Sequence, residues 1–227
     1  MVKAQADVEM RGDVRKLVIT GGEGALAKAI AAGFHPPEWR ISAPSHGELD
    51  VADAAAVEAF FHKREVDLLV CAAGMIRDAP LVRMSEADWD DVIGVNYGGA
   101  VRCARAAMTG MLAKGAGHII FISSYSALHP PAGQAAYAAA KAALLGLTKE
   151  LACAHGAAGI RINTILPGFL ETPMTAGLAR DRLDEIRAAH VLGKFNTVDH
   201  VAAFIRHLHQ DLPNTSGQVF QLDSRCA

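Results

Sequence analysis

The chain has 227 residues, 51% of them hydrophobic and 20% charged, with a formal net charge of −2 at pH 7. That length suits one large α/β domain with a proper core, and the apolar content excludes a disordered chain. A balance this close to neutral, with no basic run, argues against a nucleic-acid partner; no uncharged apolar run nears the ~20 residues that span a bilayer, which argues against a membrane one.

Residues 1–13 (MVKAQADVEMRGD) read as a flexible polar extension without the apolar stretch of a signal peptide, and 14–227 as a single folded domain. The first strand, Lys16 to Thr20, runs at once into TGGEGALAKAIAAGF. A strand that breaks into a glycine turn and then a helix is the context in which such a turn binds a pyrophosphate. Gly21 and Gly24 let the backbone turn tightly and approach that group, with Gly22, Glu23, Ala25 and Leu26 completing the loop and helix start. Ala27 stands where a third glycine would allow close helix packing. Without a ligand in view, the same turn is equally compatible with a purely structural loop.

A second strand is expected over Trp39 to Ala43 and a third over GELDV, with no helix between them, so the second crossover is unusually short. Asp53 caps a helix that buries Val57, Phe60 and Phe61. The next strand, VDLLVCAAG, is continuously apolar, as the buried centre of a parallel sheet requires, and it ends in small residues. Ser85 then starts a long helix with an acidic first turn. Asn96 lies inside it among apolar neighbours; the amide is either an ordinary bonded helix residue or the mark of a local deformation.

The strand from His118 to Ile122 ends in Ser123-Ser124, and an alanine-rich helix beyond a proline-containing loop carries Tyr137 and Lys141. Four residues apart on a helix, these two share a face. An ammonium beside a phenol favours phenolate and lowers its pKa, and a hydroxyl from the strand end could hold a substrate oxygen against it. The stretch reads as an acid/base centre for an alcohol or carbonyl. A further strand, GIRINTIL, leads to Pro167-Gly168 and a lid-like segment over 169–195; a last helix (Val198 to His209) and strand SGQVFQLD follow. Seven strands alternating mostly with helices predict a doubly wound parallel sheet, with ligand at the carboxyl ends of the strands.

Cys71, Cys103, Cys153 and Cys226 show no metal-ligand spacing and read as buried free thiols, which fits a reducing, cytoplasmic setting; no metal site is expected. The histidines read as solvated or loosely packed. Residues 98–112 and 138–152 are too apolar to be ordinary surface helices, so a homodimer or homotetramer through them is expected.

Ser124, Tyr137-x3-Lys141, and Asn96 in VNYGG together resemble the catalytic residues of the short-chain dehydrogenase/reductase family, and the similarity extends over nearly all of the chain after the first dozen residues. GQAAYAAAKAALLGLTKELA and INTILPGFLETPMT resemble the 3-oxoacyl carrier-protein reductases within it. The resemblance implies a Rossmann-type fold and NAD(P)-dependent interconversion of a ketone and a secondary alcohol. Tyr137 would be the acid/base, Ser124 the group that orients the substrate oxygen, and Lys141 the cation that lowers the Tyr pKa and binds the nicotinamide ribose. Asn96 would hold a water that connects Lys141 to solvent. It also puts Asp50 and Val51 by the adenine, Ala72, Ala73 and Gly74 along the adenosine, and Pro167, Gly168, Leu170 and Thr172 by the nicotinamide and phosphates. Met75, Ile76, His129, Gln134, Phe169 and Met174 are candidates for the substrate pocket.

The sequence also departs from the family. The glycine turn is one residue tighter than TGxxxGxG, and CAAG replaces NNAG. Where an NAD-selective chain would place an acid, Ala43-Pro44 precedes Ser45, which favours NADP(H) over NAD(H); Glu23 argues the other way. A catalytically silent nicotinamide-nucleotide-binding or sensing protein on the same fold is the competing reading.

Overall fold

A computed structural model describes residues 14–225; the extension expected over 1–13, and Cys226, lie outside the described residues. Among them, six parallel strands form one sheet in the order β2-β1-β3-β4-β5-β6. The strands are β1 (Arg15–Ile19), β2 (Trp39–Ser42), β3 (Leu68–Cys71), β4 (Gly117–Ile122), β5 (Ile160–Leu166) and β6 (Val219–Gln221). Their period-two alternation divides the core into two. Leu17, Ile19, Leu68, Val70, Ile120 and Ile122 face one layer, and Val18, Leu69, Cys71, Ile119 and Phe121 the other. Burial on both faces accounts for the continuously apolar strands.

The described residues form seven α-helices: α1 (Ala25–Ala32), α2 (Ala54–Phe61), α3 (Glu86–Ile93), α4 (Ala100–Lys114), α5 (Ala135–His155), α6 (Arg180–Ala188) and α7 (Val198–Gln210). The first layer takes Ala27 and Ile30 of α1 with Val201, Ile205 and Leu208 of α7. The other takes Val57 and Phe61 of α2, Cys103, Ala107 and Met111 of α4, and Leu144 of α5. Local chemistry sets two of the starts as expected: Asp53 Oδ1 accepts from the Ala55 and Ala56 amides, and Ser85 Oγ from the Asp88 amide. β1 lies between β2 and β3, so the chain crosses one way from β1 to β2 and back the other way to β3, and the strand order reverses there. In such sheets the crevice lies at the carboxyl ends at this point, which is where the glycine turn follows β1.

The strand expected over GELDV is absent, and the sheet has six strands, not seven. Ser45 O accepts from the Glu48 and Leu49 amides, Asp50 O from the Asp53 amide, and Asp50 Oδ1 from the Ala52 amide. Local bonds thus take the backbone and polar groups a ladder would need. The alternating Leu49 and Val51 are buried as anchors of a turn, not as one face of a strand. The helix-free crossover expected here becomes the lead-in to α2.

Cys71 and Cys103 are buried free thiols, but Cys153 is exposed, because it sits on the outer side of α5. Several histidines are better packed than expected. His118 and His190 are buried, and His209 is half-buried with its ring stacked on His118.

Candidate active site

The end of β4 and the start of α5 are tied together by buried bonds. Ser123 Oγ donates to the Lys141 carbonyl at 2.8 Å, and Lys141 Nζ donates to the Ile122 carbonyl at 2.9 Å. Ser124 continues the extended backbone (φ −151°, ψ 156°), its hydroxyl accepts from the Ser126 amide at 3.1 Å, and it hydrogen-bonds the Tyr137 phenol. Lys141 Nζ lies 5.6 Å from the Tyr137 ring centroid. With 4% of its surface exposed, the ammonium is pulled down to about 8 by burial, the Cys71 sulfur opposing the shift.

The phenol does not follow the expectation for it. Burial pushes Tyr137 above the usual range; the Ser124 bond pulls the other way and the Asp78 charge adds to the rise. Burial thus outweighs the depression expected from Lys141, whose ammonium also donates to the Ile122 carbonyl. The geometry therefore holds a protonated phenol beside a cation.

Asn96 resolves as the centre of a deformation. Residues Gly94–Gly99 form a π-helical turn between α3 and α4. Such bulges widen a helix by one residue and often mark functional sites. Asn96 Nδ2 donates to Met75 O at 2.8 Å and to Val92 O at 2.9 Å, which joins the bulge to the segment after β3. Its Oδ1 is buried and has no partner among the described residues. A Cβ added at Gly74 would stand 2.9 Å from that oxygen and 3.6 Å from Lys141 Nζ, so glycine keeps open a small space that both groups border.

The glycine turn fits a dinucleotide. Gly21 has φ +72°, and a Cβ there would come within 2.8 Å of the Ala73 Cα. Gly24 precedes α1, whose first amides receive no side-chain cap and no acid in the first turn, as an anion-receiving helix start requires. Glu23 is exposed on the turn between them. Thr20 Oγ1 accepts from the Ala72 and Ala73 amides at 3.1 and 3.0 Å and ties the end of β1 to the end of β3. Across the crevice, Gly168 has φ +82° and packs on Asp223, Pro167 O accepts from Asn196 Nδ2, and Leu170 bridges Asn196. Thr172 is held in a turn by Thr175. Val51 is buried against Gly99 of the bulge, while the Asp50 carboxylate is committed to the Ala52 amide.

Of the pocket candidates, Met75 is joined to Asn96, Ile76 follows it, and His129 stacks on Tyr125 at 4.5 Å. Gln134 links two loops: Ser126 Oγ donates to its Oε1 at 2.9 Å, and its Nε2 donates to Asp78 Oδ2 at 2.8 Å. Phe169 packs on Phe195 at 4.6 Å, and Met174 is half exposed. Sequence reasoning missed Asp78, Ser126, Asn196 and Arg225. The guanidinium of Arg225 pairs with Asp223 and lies 3.4 Å over the Tyr125 ring. Of these, Ser126, two residues past Ser124, and Asp78, two past Ile76, lie close in sequence to residues already singled out.

Among the described residues no group of His, Cys, Asp and Glu could hold a metal ion, and no helix is long and apolar enough to cross a membrane.

A fold with this switch point, glycine turn and Ser-Tyr-Lys cluster defines a nucleotide-dependent oxidoreductase. A family model described as Enoyl-(Acyl carrier protein) reductase matches residues 25–224. The 3-oxoacyl-[acyl-carrier-protein] reductase FabG of Escherichia coli K12 is 38% identical over 168 residues, 72% of this chain and 69% of that one. The (3R)-3-hydroxyacyl-CoA dehydrogenase of Canis lupus familiaris is 34% identical over 212 residues, 90% and 78% of the two chains. A crystal structure from Beutenbergia cavernae, titled as an NAD(P)-dependent gluconate 5-dehydrogenase with bound NADP, superposes with a TM-score of 0.86 at 30% identity and covers 92% of this chain and 95% of its own. The chain belongs to the short-chain dehydrogenase/reductase family, and its activity class is NAD(P)-dependent oxidoreductase.

Proposed function

We propose that the chain reduces a ketone to a secondary alcohol, a 3-oxoacyl thioester to its 3-hydroxy form, with NADP(H) preferred over NAD(H). One observation carries the reading: a protonated Tyr137 phenol, bonded to Ser124, stands on one helix face with the buried Lys141 cation. The relatives whose names specify 3-oxoacyl and 3-hydroxyacyl substrates support the substrate class. The uncharged Ala43-Pro44 after β2 and the NADP in the Beutenbergia structure support the nucleotide.

When bound, the nicotinamide supplies the hydride; the side chains do the rest. Ser124 donates to the carbonyl oxygen and fixes it against the phenol. Tyr137 gives its proton to that oxygen as negative charge develops there. The Lys141 ammonium stabilises the phenolate left behind, which is why its own proton must stay on. Asn96 Oδ1 and Lys141 Nζ border one space over Gly74, which supports a water held there to return the proton.

Replacing Tyr137 by Phe keeps the ring and removes the proton. Turnover of a 3-oxoacyl thioester by Tyr137→Phe should fall at least ~10³-fold while NADPH binding is retained. Unchanged turnover sinks the assignment, and wild-type nucleotide binding without turnover on any ketone or alcohol moves the chain to the sensing reading.

We place the protein in the cytoplasm as a homodimer or homotetramer through residues 98–112 and 138–152. On α4 Leu112 is 40% exposed, and Leu145, Leu147 and Leu151 on α5 are only partly covered. A monomer mass by light scattering would overturn that assembly.

A further inference from the structure

The turn after β2 carries a carboxylate with no part in the proton chemistry. The Gly22 amide donates to Pro44 O at 2.8 Å, and a Cβ at Gly22 would stand 2.0 Å from Ala43 O. The glycine turn and the end of β2 are thus in contact, and Ser45 is the next residue along. In dinucleotide-binding folds the position about 20 residues past the glycine turn meets the 2′ group of the adenosine ribose. An acid there accepts a 2′-hydroxyl, and donors or a cation receive a 2′-phosphate. Counted from Gly24, that position is Ala43-Pro44, where no side chain can do either.

Ser45 offers the nearest donors, its amide and its hydroxyl. Both go to one atom, Glu48 Oε2, at 2.8 and 2.9 Å. These bonds hold the Glu48 carboxyl below its usual range, so it is anionic at neutral pH. The basic side chains next to the turn are engaged elsewhere. His46 faces Asp50 at 3.9 Å, and Arg64 lies over the Phe60 ring while bonded to Ser42.

We infer that Glu48 is a specificity-determining residue: its carboxylate accepts the 2′-hydroxyl of NAD(H) and competes with the 2′-phosphate of NADP(H) for the two Ser45 donors. It therefore holds the preference for NADP(H) below what the uncharged end of β2 would give. The inference rests on the nucleotide binding assigned under Proposed function. A structural role is the alternative, because Ser45-x-x-Glu48 is also the arrangement of a capping box around one turn. The two differ in what they do to the ratio of affinities.

The test is a titration of NADH and of NADPH, followed by nicotinamide fluorescence without substrate, on wild type, Glu48→Gln and Glu48→Ala. Glu48 is exposed, so both variants leave the core intact. Loss of the anion should tighten NADPH and weaken NADH, moving the ratio of Kd values about tenfold toward NADPH in both variants. An equal change for the two nucleotides, with a lower melting temperature, would assign Glu48 to the turn alone and overturn the inference. So would an unmoved ratio, in which case nucleotide binding itself still stands. A folded wild type that binds neither nucleotide overturns the underlying reading as well.

Discussion

Acid should destabilise this fold through one histidine pair, and the structure gives the sign and the size. His118 on β4 and His209 on α7 stand with their Nδ1 atoms 3.2 Å apart. Asn163 Oδ1 accepts from the Gln218 amide, so its Nδ2 faces both Thr215 O and His118 Nε2. Each ring nitrogen of His118 thus faces a donor, Asn163 Nδ2 or Arg161 Nη2, and a charged imidazole would point both of its N–H groups at donors. Arg161 Nη2, 3.0 Å from His118 Nδ1, adds a cation while its guanidinium caps the carbonyls of Leu208, His209 and Leu212.

Burial first, and then Arg161, hold His118 well below its ordinary value; the same causes, with Arg15 assisting and Asp67 opposing, bring His209 to about 4. The unfolded chain binds these protons below about 6.5 and the folded one does not. The stability they contribute is therefore complete above pH 6.5 and lost as pH falls toward 4. A depression from 6.5 to about 4 is worth roughly 3 kcal/mol for His209, with a slope near 1.4 kcal/mol per pH unit for each histidine. Urea unfolding at steps between pH 7.5 and 4.5 measures it. Relative to wild type, His209→Gln should lose about 1.4 kcal/mol per pH unit of slope between pH 6 and 5, beyond the common contribution of the carboxylates. Parallel lines for the two proteins would refute the reasoning.

A Cβ at Gly22 would meet only backbone, 2.0 Å from Ala43 O and 2.9 Å from Pro44 O, which cannot yield as a side chain would. Gly22→Ala should therefore cost about 2–3 kcal/mol, lower the melting temperature by several degrees and weaken both nucleotides; Gly177→Ala, with nothing within 4 Å, should do neither. An unshifted melting curve for Gly22→Ala would contradict the packing. Ketone reduction at saturating substrate should hold below pH 8 and fall above it, because Lys141, at about 8, then loses the charge that stabilises the phenolate. Lys141→Met should lower turnover by ~100-fold or more and abolish that limb; a limb left in place would assign it to another group.

Local interactions were legible in the sequence. Tyr137 and Lys141 are four apart on one helix, so spacing put them on one face; the strand end offered Ser123-Ser124, and the family resemblance picked Ser124. The strand alternation, the Asp53 and Ser85 caps and the glycine turn likewise close within a few residues, where periodicity and side-chain chemistry decide the outcome. The GELDV strand was misread for a related reason. Its alternation is real, but Ser45, Glu48 and Asp50 bond their own backbone, and a period-two pattern cannot reveal that.

What tertiary structure alone decided is where distant groups meet and what charge they then carry. Thr20 reaches the Ala72 and Ala73 amides, Asn96 reaches Met75 O from a π turn, and Gln134 joins Ser126 to Asp78. The same holds for the protonated Tyr137, the weakened Lys141 and the neutral His118–His209 pair. Each pKa depends on desolvation and on neighbours brought in from elsewhere in the chain, so a residue's identity gave the acid/base group and only its burial gave the state in which it waits.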